Sequence, residues 1–431
     1  MKSLSAFFFV LFLSARPAFA EPLAPAVERL LVVAPHPDDE TLGAAGAVLA
    51  AKEAGAAVRV LFLTHGESNA VSSIFHLKKP TVVKGDFLRN GEIRRREALE
   101  AADELGLAAA DLVFLGYPDS GLEDIWRRHW GAAAPYKNLL TRWPRVPHAA
   151  AASRGSDHRA ENVLRDVKKE IEAFKPTRVL VTAPFDSNGD HRAAFGFVRL
   201  ALLELEGSFP EPELEFYLVH ARRWPRPKSL EPERSLEAPR EQAWREPRVF
   251  PLKPEWRTRK HQALLRYRSQ IAYSKKFLLS FVRRNELFFA AGPAKLEELA
   301  PEADSPPLPS AVGRVALSFS IRGKELWVRA RFKESVDELG ALDIELFPYR
   351  KGTAFGSMPK YRLRLFGRKL FAFLGPARLS DRRIAYALGP DGLTVRMPLS
   401  MLRDPDALFV SASTAKRGAS PATEGWRLVR K

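Results

Sequence analysis

The stretch from Leu30 to Lys52 constrains the fold more than any other. Leu30-Leu31-Val32-Val33 is a short apolar run bounded by Pro35, and such a run reads as a buried strand. Thr41 to Lys52 is rich in alanine and reads as a helix. His36, Asp38 and Asp39 therefore sit in a strand-to-helix turn. In open α/β sheets, ligands bind just beyond the carboxyl ends of the strands.

The alternation continues down the chain. Strands are expected at 57–64, 112–116, 178–182 and 214–220, with helices at 91–106, 160–174 and 193–206. Units of this length imply an α/β, Rossmann-like, mostly parallel sheet with helices on both faces over residues 21–300. Residues 123–158 read as irregular and 221–255 as a Pro-, Arg- and Glu-rich surface excursion. One long helix is expected to carry Leu264, Tyr267, Ile271, Leu278 and Phe281. Residues 301–310 form a proline-rich linker. Beyond it the period becomes two, as in Val315, Leu317, Phe319 and Ile321, which predicts an all-β sandwich over 311–431.

Residues 1–20 combine Lys2, an apolar run from Ala6 to Leu13 and the small-x-small end Ala18-Phe19-Ala20. That is the pattern of a signal peptide, so the mature chain is expected to be exported, to a periplasm or the outside. No later stretch reaches transmembrane length. The chain has no cysteine, which excludes disulfides and thiolate ligands and leaves His and carboxylates for any metal. Its net charge of +17 points to an anionic neighbour such as an acidic polymer, or to a simple solubility charge. No nucleic-acid motif stands out, and oligomeric state is not legible.

The spacing of His36 and Asp39 has a chemical logic. Three residues apart at a helix start, they can turn to one point, and zinc accepts both donor types while leaving a position open for water. Asp38, between them, is free to take a proton. The competing reading is that Asp38, Asp39 and Glu40 only complement the helix dipole. A third ligand should also follow a strand, and His191 follows the strand at 178–182. Asp157-His158-Arg159-Ala160 repeats the letters of Asp190-His191-Arg192-Ala193 but follows no strand, so His158 is expected outside the site. His65, at the end of the second strand, is expected to be a turn residue more often than a wall of the cavity.

Pro35-His36-Pro37-Asp38-Asp39-Glu40 resembles the signature of the PIG-L-type (LmbE-like) zinc deacetylases, which remove acetyl groups from N-acetylglucosamine units. Asp190-His191-Arg192-Ala193 resembles that family's second motif, and the resemblance spans about residues 21–295. It implies Zn2+, or another divalent transition metal, on His36, Asp39 and His191, with Asp38 as proton acceptor and donor. It implies substrate contacts from Arg94 and Asp119. Asp186 or Asp190 is expected to orient a ligand histidine, as carboxylates behind metal-binding histidines do. The sequence departs from the family at Asn188, where members carry a histidine. An asparagine amide can donate to an oxyanion but carries no charge. The expected activity is an exported deacetylase acting on an N-acetylated sugar or polysaccharide. The alternatives are a glycan- or envelope-binding protein with a decayed site, or a hydrolase of another acyl amide. The sandwich is distantly similar to family 9 carbohydrate-binding modules. Trp327, Tyr349 and Tyr361 are its candidate stacking residues, with core packing the first expectation for any single one of them, and Arg329, Arg331, Arg362 and Arg364 are its candidate anion contacts.

Overall fold

The computed structural model describes residues 28–68, 83–239, 246–290, 292, 294–295, 297–298, 315–332, 336–415, 422–423 and 425–431. The expected signal peptide at 1–20 and linker at 301–310 lie outside them.

The first half is an α/β layer structure. Strands β1 (Arg29–Ala34), β2 (Ala57–Thr64), β3 (Leu112–Tyr117), β4 (Arg178–Thr182) and β5 (Glu213–Tyr217) pair in parallel in the order β3-β2-β1-β4-β5. Two antiparallel strands, β7 (Asn285–Ala290) and β6 (Arg248–Pro251), extend the β5 edge. The central strand β1 is buried from Leu30 to Ala34, which explains its unbroken apolar run. The helices are α1 (Asp39–Glu53), α2 (Lys84–Glu104), α3 (Leu122–Arg128), α4 (Ala160–Phe174), α5 (Gly189–Glu204), α6 (Pro254–Arg266) and α7 (Arg268–Leu279). The strand order reverses at β1, so the turns after β1 and β4 open side by side.

Three sequence expectations change. Helix α2 begins at Lys84 rather than Gly91. The stretch 123–158 contains the short helix α3. The single long helix is two, meeting at Tyr267 with ψ near 59°. The physical reason lies in the tertiary contact: the buried Tyr267 hydroxyl bonds Glu40 at the start of α1.

The second half is a sandwich of antiparallel sheets. One carries Val315–Arg322, Glu325–Phe332, Gly392–Pro398 and Ala385–Gly389. The other runs from Ala377–Leu379 through Lys369–Leu374, Tyr361–Phe366, Ala341–Tyr349 and Ala407–Ala415 to Arg427–Arg430. Residues 294–295 and 297–298 already pair with sandwich strands, ahead of the proline-rich stretch. The sandwich has its own core, which includes Leu317, Val328, Leu363 and Val395. Its larger sheet also docks on α3 and α5. Trp126 of α3 lies 5.5 Å from both Trp426 and Phe409 and 5.7 Å from Phe355. Phe347, Phe409 and Trp426 thereby join the α/β core. Buried aromatic surface of this extent is a firm contact, not a tether.

Candidate metal centre

The turn after β1 brings His36 and Asp39 to one point, and the turn after β4 brings His191. His36 Nδ1, Asp39 Oδ2 and His191 Nε2 lie 3.1, 3.2 and 3.3 Å from one another. Tetrahedral coordination at zinc distances requires donor separations of about 3.3 Å, so these residues fit such an ion. All three are buried, and the three donor atoms form one of two clusters among the described residues that suit a metal. The second is His36, Asp119 and Asp190. There Asp190 already accepts from the backbone N–H of Ser120 at 2.6 Å and of Leu122 at 2.9 Å. Its carboxylate is spent on the start of α3, which leaves the first cluster as the better cation site.

The outer nitrogens of both histidines meet carboxylates. His191 Nδ1 lies 3.1 Å from Asp186 Oδ2. His36 Nε2 lies 3.2 Å from Asp119 Oδ1 and 3.3 Å from Asp190 Oδ2. Such partners fix the tautomer and the ring plane of a metal-binding histidine. The sequence left Asp186 and Asp190 as alternatives; in the fold each holds a different histidine. Asp186 also accepts the backbone N–H groups of Val219 and His220, which ties the β4 turn to the segment after β5.

Charge is dense here. Burial opposes protonation of His191, but Asp186 and Asp39 outweigh it and raise its pKa to about 9. Burial likewise opposes charge on His36, and Asp119, Asp190 and Asp39 carry it well above the usual histidine range. Asp39 is driven up by burial, yet His191 and His36 hold it well below the carboxylate range. Two imidazoles ringed by buried carboxylates form a field suited to a divalent cation.

Asp38 does not cap α1 with its side chain. Its backbone sits at φ 128°, a region a residue with a Cβ occupies only under constraint. That turns its carboxyl into the cavity beside the cluster. Burial drives its pKa up to about 7, against the pull of Arg94. Arg94 Nη2 is 3.2 Å from Asp38 Oδ2. The same guanidinium donates to Gly66 O at 2.9 Å and Pro37 O at 2.7 Å. Gly66, at φ 65°, has no Cβ to block that crossing. Arg94 lines the cavity, but its partners are Asp38 and the backbone of the turns after β1 and β2 rather than open space.

The cavity holds about 470 Å3 and is walled also by Asp119, Asn188, His220, Tyr273 and Phe277. Asp119 has one oxygen on His36 and the other on the Ser68 N–H at 2.8 Å, so both are engaged within the protein. Asn188 is the N-cap of α5 and its Oδ1 accepts from Asp190 N at 2.9 Å. Since that partner is a donor, the amide oxygen is fixed on the helix and the NH2 remains for the cavity. His158 stays apart, with Nδ1 3.3 Å from Tyr136 O. His65 is buried and stacks on His148 at 4.1 Å, behind the cavity wall. In the sandwich, Tyr349 and Tyr361 are buried core residues, the latter bonded to Met401 O at 3.1 Å. Neither is open to a sugar. Trp327 is half-buried between the guanidiniums of Arg322 and Arg396.

His220 and the docked sandwich were not legible as site features. The contact with the sandwich runs through side chains. Glu345 meets Arg127 at 3.2 Å, Arg127 meets Glu123 at 3.1 Å, and Glu123 meets Arg192 at 2.6 Å. Arg192 then donates to Asp186 O at 2.8 Å. Gly425, from the sandwich, lies directly on the backbone of Pro184.

The fold and site define an α/β protein with a His/Asp/His cluster that suits a metal on the carboxyl edge of a parallel sheet. Residues 31–202 match the PIG-L family model, described as GlcNAc-PI de-N-acetylase. His36, Asp38, Asp39, Arg94, Asp119, Asp186, Asn188, Asp190 and His191 fall inside that segment, while His220, Tyr273 and Phe277 of the cavity wall lie beyond it. No curated protein matches the chain. Among solved structures, the chain is similar to the A40926 pseudoaglycone deacetylase Dbv21, at 19% identity and a TM-score of 0.40, covering 61% of this chain and 96% of that one. It is similar to the N,N'-diacetylchitobiose deacetylase of Pyrococcus horikoshii at 17% identity and a TM-score of 0.39, over 61% and 83%. It is also similar to GalB, the 4-carboxy-2-hydroxymuconate hydratase of Pseudomonas putida KT2440, at 17% identity and a TM-score of 0.40, over 64% and 100%.

Proposed function

We propose that this chain is a metal-dependent deacetylase that hydrolyses the N-acetyl amide of N-acetylglucosamine-type units in a glycan or glycoconjugate. The observation that carries the reading is the donor triangle of His36, Asp39 and His191 with the Asp38 carboxyl in the same cavity. The PIG-L domain over residues 31–202 supports it. We further propose zinc as the metal and export as the destination. Among the described residues, no helix is long and apolar enough to cross a membrane.

A divalent ion in the triangle would supply Lewis acidity and a lowered pKa for water. Asp38 accepts the proton of the attacking water. Arg94 occupies Oδ2, which leaves Oδ1 for that proton. Asp38 then returns the proton to the leaving amine, as one carboxyl raised toward neutral pH can do. The Asn188 NH2 donates to the developing oxyanion. Asp186 and the Asp119–Asp190 pair hold the two imidazoles in plane throughout.

Acetate release by residues 21–431 tests the reading, using N-acetylglucosamine oligomers with zinc and with chelator. Chelator-sensitive release is the expected outcome. A folded, metal-loaded protein that releases none from any oligomer refutes it. Asn188 would then favour the second reading, a glycan-binding protein without turnover.

A further inference from the structure

The excursion after β5 builds a second cleft of about 540 Å3. Four arginines line it, Arg222, Arg223, Arg226 and Arg234, against one carboxylate, Glu237. All four arginines are exposed. Among the described residues, none of the four has a salt-bridge partner within 4.0 Å. Nearby Arg257 and Arg284, by contrast, both pair with Glu233, at 2.7 and 3.8 Å. Four unneutralised guanidiniums on one wall repel one another, so the arrangement has a cost that the fold must meet.

The fold meets it from beneath. Buried Arg283 donates to Pro227 O at 2.6 Å, and Arg257 to Pro232 O at 2.6 Å. The Trp224 indole N–H donates to Glu237 O at 2.7 Å, and Asn285 bonds both backbone groups of Leu236. These buried groups fix both limbs of the excursion and hold the arginines outward. The cleft is also the neighbour of the metal cavity. Trp224 stands in the wall of both, and Lys228 lines the metal cavity with its ammonium 5.4 Å from the Phe277 ring.

We propose that this cleft binds the carboxylate-bearing units of a polyanionic glycan whose acetylated unit lies at the metal centre. Guanidinium forks match carboxylates in a way that ammonium groups do not. A neutral glycan offers the four cations hydroxyls but no charge, and a nucleic-acid strand would ask for exposed aromatic stacking platforms, whereas the aromatic in this wall, Trp224, is buried with its indole N–H on Glu237 O. The placement of the acetylated unit rests on the deacetylase reading; the anion site itself does not.

The test is direct binding to the full mature chain, read by fluorescence anisotropy at low and high salt. The probes are a hyaluronan hexasaccharide, which alternates N-acetylglucosamine with glucuronate, a chitohexaose and a single-stranded oligodeoxynucleotide. The hyaluronan oligomer should bind about tenfold tighter than chitohexaose at low salt, with the gap narrowing at high salt. The triple variant Arg222→Ser/Arg226→Ser/Arg234→Ser, checked for an unchanged melting temperature, should lose that gap. Equal affinities in the wild type, a gap that survives the triple variant, or tighter binding of the oligonucleotide would overturn the proposal. Acetate release separates the two readings. Preferential binding without release removes the deacetylase and keeps the cleft, while release without preferential binding does the reverse.

Discussion

Gly425 offers a sharp test of whether the sandwich supports the metal centre. It sits at φ 71°, and an added Cβ would lie 1.2 Å from Pro184 O and 2.2 Å from the Pro184 carbonyl carbon. A left-handed backbone costs a residue with a Cβ about 1–2 kcal/mol. Overpacking against a backbone that cannot rotate aside adds about 1–3 kcal/mol. Gly425→Ala should therefore lose about 2–5 kcal/mol. Gly367 is the control: its φ is 56°, and nothing lies within 4 Å of its added Cβ. Gly367→Ala should lose only the backbone part. The clash has a second reading because Pro184 precedes Asp186 by two residues, and Asp186 holds His191. A displaced Pro184 should weaken zinc binding about tenfold, as loss of an outer partner does. Urea denaturation measures the first effect and competition with a chromophoric chelator the second. If Gly425→Ala costs no more than Gly367→Ala and binds zinc as the wild type does, the sandwich does not brace the β4 turn.

Asp38→Asn should retain one bound metal and lose about 10²–10⁴-fold in kcat; wild-type turnover would remove Asp38 from proton transfer. Asp186→Asn should lower zinc affinity about 10–100-fold, measured by the same competition, and unchanged affinity would leave His191 without need of its partner. Removing the metal with chelator should lower the melting temperature, because a ligand that binds only the folded state stabilises it; a melting curve indifferent to zinc would argue against the triangle as its site. Lys360 lies over the Phe355 ring, with Nζ 2.6 Å from Phe355 O, and burial drives its pKa down to about 7 from 10.5. The unfolded chain holds that proton more tightly, so stability should rise between about pH 7 and 10. Lys360→Met should flatten the rise, and an unchanged slope would assign it elsewhere.

Much of the α/β half was legible because its signals are local. A buried central strand must be apolar throughout, so β1 is written as an unbroken run, and its turn carries His36, Asp38 and Asp39 at a spacing that only a helix start brings to one point. His191 was legible because it too follows a strand, whereas His158, with the same four letters, follows none and stays away. The break at Tyr267 was not legible, since helical periodicity runs through it and only the bond to Glu40 marks the kink. The division of labour between Asp186 and Asp190 was decided by geometry: Asp186 turns back to His191 within its own turn, while Asp190 reaches His36 on the turn after β1. Arg94 and Asp119 could be placed near the site by pattern, but their engagement with Asp38, the backbone and His36 is a matter of distances between β1, α2 and the turn after β3. The sandwich was written in its period-two strands. That it presses Trp426, Phe409 and Gly425 onto α3 and the β4 turn was not, because an aromatic on the outer face of a sheet reads the same whether it meets solvent, a sugar or another core. The sequence by itself determined the buried strands and the turn residues that carry the candidate donors; only the tertiary structure decided where the helices break, which charges are neutralised, which face one another unpaired, and what stands behind His36, Asp39 and His191.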